Sequence, residues 1–180
     1  MAVSGNQLHF FISYAVAFIA FGLIGKWYLW PAIRDREPKP ALTPLLLYAC
    51  LRVKGLMFLM PGLVSTELPR AFAVPTAYGD LTATALALFA LWPIRTGKAL
   101  AMPMVWVFNV IGLLDLIYAT ISTFKDHVDP TSLGVSYYLA VLNVPAMVVV
   151  HVWIFAYLLP RGAARTLTGA SSAPQKGPAR

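Results

Sequence analysis

Long apolar blocks alternate along the chain with short polar, proline-bearing stretches. A helix needs about 20 mainly apolar residues to cross about 30 Å of hydrocarbon. Five blocks reach or approach that length: Leu8–Trp30, Ala41–Leu63, Tyr78–Ile94, Ala99–Ile121 and Val135–Leu159. The pattern predicts an all-α fold, a polytopic membrane bundle of five transmembrane helices over residues 1–160. Aromatic residues close several blocks, as they do at membrane–water interfaces: Trp27, Tyr28 and Trp30, then Trp92, then Trp153 and Tyr157. Residues 1–7 hold no Lys or Arg, and the block after them is too long for a secretory signal, so a retained first span is expected. Residues 64–77, with Pro69 and Pro75, read as an outer connection lying on or dipping into the membrane surface. Residues 161–180, rich in Ala, Ser, Gly, Pro and basic side chains, read as a disordered basic cytoplasmic tail. No internal repeat is visible, and an odd number of spans argues against a duplicated transporter half.

Composition agrees with the pattern. Of the 180 residues, 59% are hydrophobic and 12% are charged. Soluble domains are nearer to half apolar and a quarter charged. The single cysteine, Cys50, excludes an intrachain disulfide and a structural cysteine zinc site.

Charge decides the second span. Arg52 and Lys54 lie near its middle, where each costs about 2.5–3.5 kcal/mol. With five spans, one side receives Arg34, Arg36, Lys39, Arg95, Lys98, Arg161, Arg165, Lys176 and Arg180, and the other only Arg70 and Lys125. Without the second span, Arg34, Arg36 and Lys39 would join Arg70 and Lys125, and the asymmetry would weaken. The positive-inside rule therefore favours five spans, an outside N-terminus and a cytoplasmic C-terminus, in a cell inner membrane. The net charge of +7 is absorbed by these flanking positions, so no nucleic-acid partner is expected.

Ionisable groups within spans are costly and mark candidate sites. They are Arg52, Lys54, Asp80, Asp115 and His151. Arg52 can reach Asp80 or Asp115. Lys54 lies about 200° around an α-helix from Arg52 and needs a partner of its own, or a lipid phosphate, or water. Polar stripes accompany these groups: His9, Ser13 and Ala17 on the first span, Asp80 and Thr84 on the third, Asn109, Gly112 and Asp115 on the fourth, Asn143, Met147 and His151 on the fifth. The ligand-binding candidates are Arg52, Asp80, Asn109, Asp115, Asn143 and His151. The same stripes also suit ordinary helix packing, and one Arg–Asp pair could serve only to fix register.

No metal or cofactor is expected. A bis-histidine haem needs two histidines at one depth; only His9 and His127 approach this, and His127 is in a loop. Met57 and Met60 do not cluster with Met102 and Met104, so copper is not indicated. HExxH, P-loop and GxGxxG motifs and Ser/His triad patterns are absent from the sequence. Asp126 and Asp129 beside His127 read as a solvated turn rather than a metal site.

The stretches LPRAFAVPTAYGDLTATALALFAL, NVIGLLDLIYA and PAMVVVHVWIFAYLLPR resemble a group of small, mostly bacterial polytopic membrane proteins with no assigned activity. The resemblance covers roughly residues 50–160. Its marks are Arg52, Gly55, Pro69, Phe72, Gly79, Asp80, Asn109, Gly112, Asp115, Pro145 and His151. It implies that these positions form a shared site or scaffold, and it implies no reaction.

Three functions compete at this point. One is a non-enzymatic membrane protein that binds a small amphipathic or lipid-like molecule, or acts beside a membrane-protein partner or a second copy of itself. Another is an enzyme or redox protein acting on a quinone or isoprenoid. The last is a small transporter. A closed pocket holding Arg52, Asp80 and Asp115 favours binding or catalysis, a polar line joining both faces favours transport, and dispersed charges favour a scaffold.

Overall fold

The computed structural model describes residues 5–171, and side chains over residues 5–160. Five helices are long and apolar enough to cross a membrane: α1 Gly5–Ile33, α2 Pro38–Leu59, α3 Arg70–Thr96, α4 Ala101–Lys125 and α5 Leu139–Pro160. The last continues helically to Ser171. The expected tail over residues 161–180 lies, from residue 172 on, outside the described residues.

The helices face outward with apolar side chains. Leu8, Ile12, Val16 and Ile19 on α1, and Val107, Leu114, Ile121 and Phe124 on α4, are all exposed. In water such a surface would be a liability; in hydrocarbon it is the solvated face. This is the build of a multi-pass membrane protein. Small residues bring the backbones together inside. On α3, Ala73, Ala77, Ala83, Ala87 and Ala90 are all buried. Their spacing of mostly three or four residues puts much of this face against α2 and α4.

The interior has two apolar clusters. One, at the end where α1 ends, includes Leu42, Leu46, Val105, Phe108, Ile154 and Tyr157. The other, at the end where α1 starts, includes Phe10, Phe58, Phe72, Leu133 and Val141. The buried ionic groups lie between them.

Several boundaries differ from expectation. The third helix begins at Arg70 rather than Tyr78, so much of the expected 64–77 connection is helical. Pro69 takes a non-helical ψ of 122° just ahead of it. Pro75 sits early in the helix, where its missing N–H frees only the Ala71 carbonyl. The fifth helix starts at Leu139 rather than Val135 because Pro130–Ser136 forms a 3-10 segment. Backbone bonds from Val135 N to Leu63 O (3.0 Å) and from Ser65 N to Ser132 O (2.9 Å) hold that segment against the α2–α3 connection. Asp129 caps it, accepting from Thr131 N and Oγ1, and these bonds hold its carboxyl below the usual range. Trp30 stacks on Trp153 at 5.2 Å.

The second helix changes form midway. It is α-helical over Pro38–Cys50 and 3-10 over Leu51–Leu59. A 3-10 helix repeats every three residues, so i and i+3 eclipse. Arg52, Gly55 and Phe58 are the buried residues of this segment. A 3-10 run this long is uncommon, and here it puts a charge, a gap and a ring in one line.

Candidate functional site

Arg52 is completely buried and is the hub. Its Nε donates to Asp80 Oδ1 at 2.7 Å, and its Nη2 donates to Asp115 Oδ2. Its Nη1 donates to the Gly112 carbonyl at 2.8 Å and faces His151 Nε2 at 3.3 Å. Helices α2, α3, α4 and α5 thus meet at one side chain. The choice between Asp80 and Asp115 left open by sequence is resolved: the guanidinium takes both, Asp80 at Nε and Asp115 at Nη2.

Behind Arg52 the polar bonds are reciprocal. A guanidinium only donates, so His151 Nε2 accepts and the ring proton is on Nδ1. Nδ1 then donates to Asn109 Oδ1 at 2.8 Å, and Asn109 Nδ2 donates to the His151 carbonyl at 3.1 Å. Asn109 and His151 are both fully buried.

Two glycines make room for the carboxylates. A Cβ at Gly55 would overlap the Asp80 carboxyl group, and one at Gly79 would overlap that of Asp115. The close approach that admits these half-buried carboxylates requires the absence of a side chain at both places.

In front of the carboxylates lies a cavity of about 170 Å³. Asp80 and Asp115, each 14% exposed at the side chain, form part of its wall. Phe10, Phe11, Tyr14, Phe58, Phe72 and Phe124 supply its aromatic walls. The ring of Phe11 on α1 stacks on that of Phe124 on α4 at 5.6 Å and 8°. Thr76, Thr120, Thr123 and Asn143 add polar atoms. Asn143 closes the π-helical turn Leu139–Asn143 and accepts from Lys54 Nζ at 3.0 Å. This is the separate partner that Lys54 needed.

A family profile described as a domain of unknown function (DUF8737) matches residues 9–159. The chain belongs to that family. No curated protein and no solved structure matches it. The DUF8737 match runs from α1 into α5 and includes the whole hub and the residues lining the cavity.

In this DUF8737 chain the six candidates divide by position. Asp80, Asp115 and Asn143 line the cavity. Arg52, Asn109 and His151 stand behind it, fully buried and bonded to protein. The stripe expected at His9, Ser13 and Ala17 is displaced by one residue at its start. His9 is exposed, and Phe10 and Tyr14 turn inward instead. Sequence reasoning missed the aromatic walls. One signal was available: Phe72, Thr76 and Asp80 recur at steps of four on one face of α3, and all three line the cavity.

Proposed function

We propose that this multi-pass membrane protein binds a small amphipathic or lipid-like molecule inside its bundle. The polar end of that molecule lies against Asp80 and Asp115, and its apolar body lies among Phe10, Phe11, Phe58, Phe72 and Phe124. The observation that carries this reading is the cavity itself. It is mostly apolar, with a few polar groups in its lining, which is the usual make-up of a small-molecule site. The hub supports it by fixing the two carboxylates without filling the space in front of them. Catalysis by His151 has less support, because its ring is spent on Arg52 and Asn109 and does not reach the cavity. A transport path has less support, because the apolar cluster around Leu46, Val105 and Ile154 fills the bundle beyond the hub. The charge asymmetry of the loops supports an orientation with the cavity in the outer half.

Native mass spectrometry of protein released from its own membranes tests the reading. The wild type should carry a bound molecule of constant mass, and Ala119→Phe, which fills the cavity from α4, should lose it. A wild type without adduct, or the same adduct on Ala119→Phe, would overturn the proposal.

A further inference from the structure

The polar end of the cavity has a sign. Asp80, Asp115 and Tyr14 are the ionisable side chains in its lining. The two nearest cations stand outside this lining. Arg52 lies behind the carboxylates and bonds both. Lys54, whose charge also reaches Asp80, faces a separate recess beside Phe21, Tyr48 and Met57, with its ammonium on Asn143. Among the described residues, no Lys, Arg or His lines the cavity. Around the carboxylates stand six aromatic rings, whose faces are electronegative and attract cations.

Thr76 supplies an independent observation. Its Oγ1 is buried and has no hydrogen-bond partner among the described residues, yet the residue lines the cavity. Thr43, away from the cavity, is also without a partner, but five other helical threonines are bonded. Thr82, Thr84, Thr96, Thr120 and Thr123 each donate to the carbonyl four residues back, at 2.8–3.0 Å. The Thr76 hydroxyl makes no such bond to the Phe72 carbonyl. It lies one turn from Asp80 on the same face of α3. A buried hydroxyl left without a partner is costly, and a ligand atom beside Asp80 would satisfy it.

We infer that the polar end of the bound molecule is a protonated amine. Its N–H groups donate to Asp80, Asp115 and Thr76 Oγ1, and its ring or short chain packs among the phenylalanines. This rests on the binding reading above and adds the chemical class. A carboxylate or phosphate would bring a third anion against two. Size sets a limit as well: an engineered protein cavity of about 150 Å³ holds benzene. One ring with a short amine arm therefore fills the cavity, and a longer tail leaves it between α1 and α4, where Phe11 meets Phe124.

Three probes of one shape and different charge test this: 2-phenylethylamine, 2-phenylethanol and phenylacetate. Binding is measured on the full chain in lipid nanodiscs by ligand-observed NMR. The amine should bind at least about tenfold more tightly than the alcohol, and phenylacetate most weakly. Asp115→Asn and Thr76→Val should each weaken the amine by about fivefold or more, and the alcohol by less. Equal binding of amine and alcohol in the wild type, both blocked by Ala119→Phe, would overturn the amine inference and leave the cavity reading standing. Binding of none of the three, or binding that survives Ala119→Phe, would overturn both.

Discussion

The carboxyl group of Asp115 on α4 occupies the space that a side chain at Gly79 on α3 would fill. Even a methyl group there must displace the carboxylate, and with it the Asp115 bond to Arg52. Gly79→Ala should therefore destabilise the protein by about 1–3 kcal/mol, the usual range for overpacking. Against this stands the ordinary gain of replacing a helical glycine by alanine, about 1 kcal/mol in the other direction. Thermal unfolding in detergent or nanodiscs reads the balance. A Gly79→Ala protein more stable than the wild type by the full helical gain of about 1 kcal/mol would show that Asp115 moves aside freely.

Among the described residues Arg52, itself fully buried, is the only cation bonded to two carboxylates. Removing it strands both. Arg52→Leu should cost about 3–5 kcal/mol, the range found when one partner of a buried ion pair is lost. Adding Asp80→Asn and Asp115→Asn to Arg52→Leu should recover a large part of that loss, because the stranded charges are then gone. Denaturant unfolding of the single and triple variants checks this. A triple variant no better than the single would show that Arg52 acts through packing and not through charge.

The reciprocal bonds of His151 and Asn109 make a different prediction. His151→Phe keeps an aromatic ring but leaves the Asn109 amide oxygen without its donor and removes an acceptor from Arg52. Each unsatisfied buried group costs about 1–3 kcal/mol. Asn109→Leu combined with His151→Phe removes both ends of one of these bonds, so the double variant should lose less than the sum of the singles. The double-mutant cycle measures that coupling directly.

The 3-10 geometry of Leu51–Leu59 is testable by which residue faces inward. Phe58 is 4% exposed and Leu59 is 36% exposed. Phe58→Ala should cost about 3–5 kcal/mol, the usual range for a buried phenylalanine. Leu59→Ala should cost much less. An α-helical continuation from Arg52 would turn Leu59 inward and reverse the order of the two losses.

Much of this was legible in the chain. Five apolar blocks and the placement of lysines and arginines gave five spans, including the doubtful one through Arg52. The ionisable residues within spans named the hub, because a charge in hydrocarbon has few ways to be satisfied. The walls of the cavity were not legible for a related reason. Phenylalanine is as welcome facing lipid as facing a cavity, so hydropathy cannot tell inward Phe10 from outward Phe89, and only packing separates them. The early start of α3 was masked by Pro69 and Pro75, which read as loop residues. The 3-10 segment was masked by its composition, since Leu, Val and Met alternate there without a clear period. That change of period is what turns Phe58 toward the same side as Arg52.

The central claim is that the space in front of Asp80 and Asp115 is a binding site. An experimental density map of the protein taken from its own membranes tests it most directly. The account predicts a compact feature between the rings of Phe58, Phe72 and Phe124, with its polar end against the Asp115 carboxylate and Thr76. A cavity filled only by water, or closed by those rings, would contradict it.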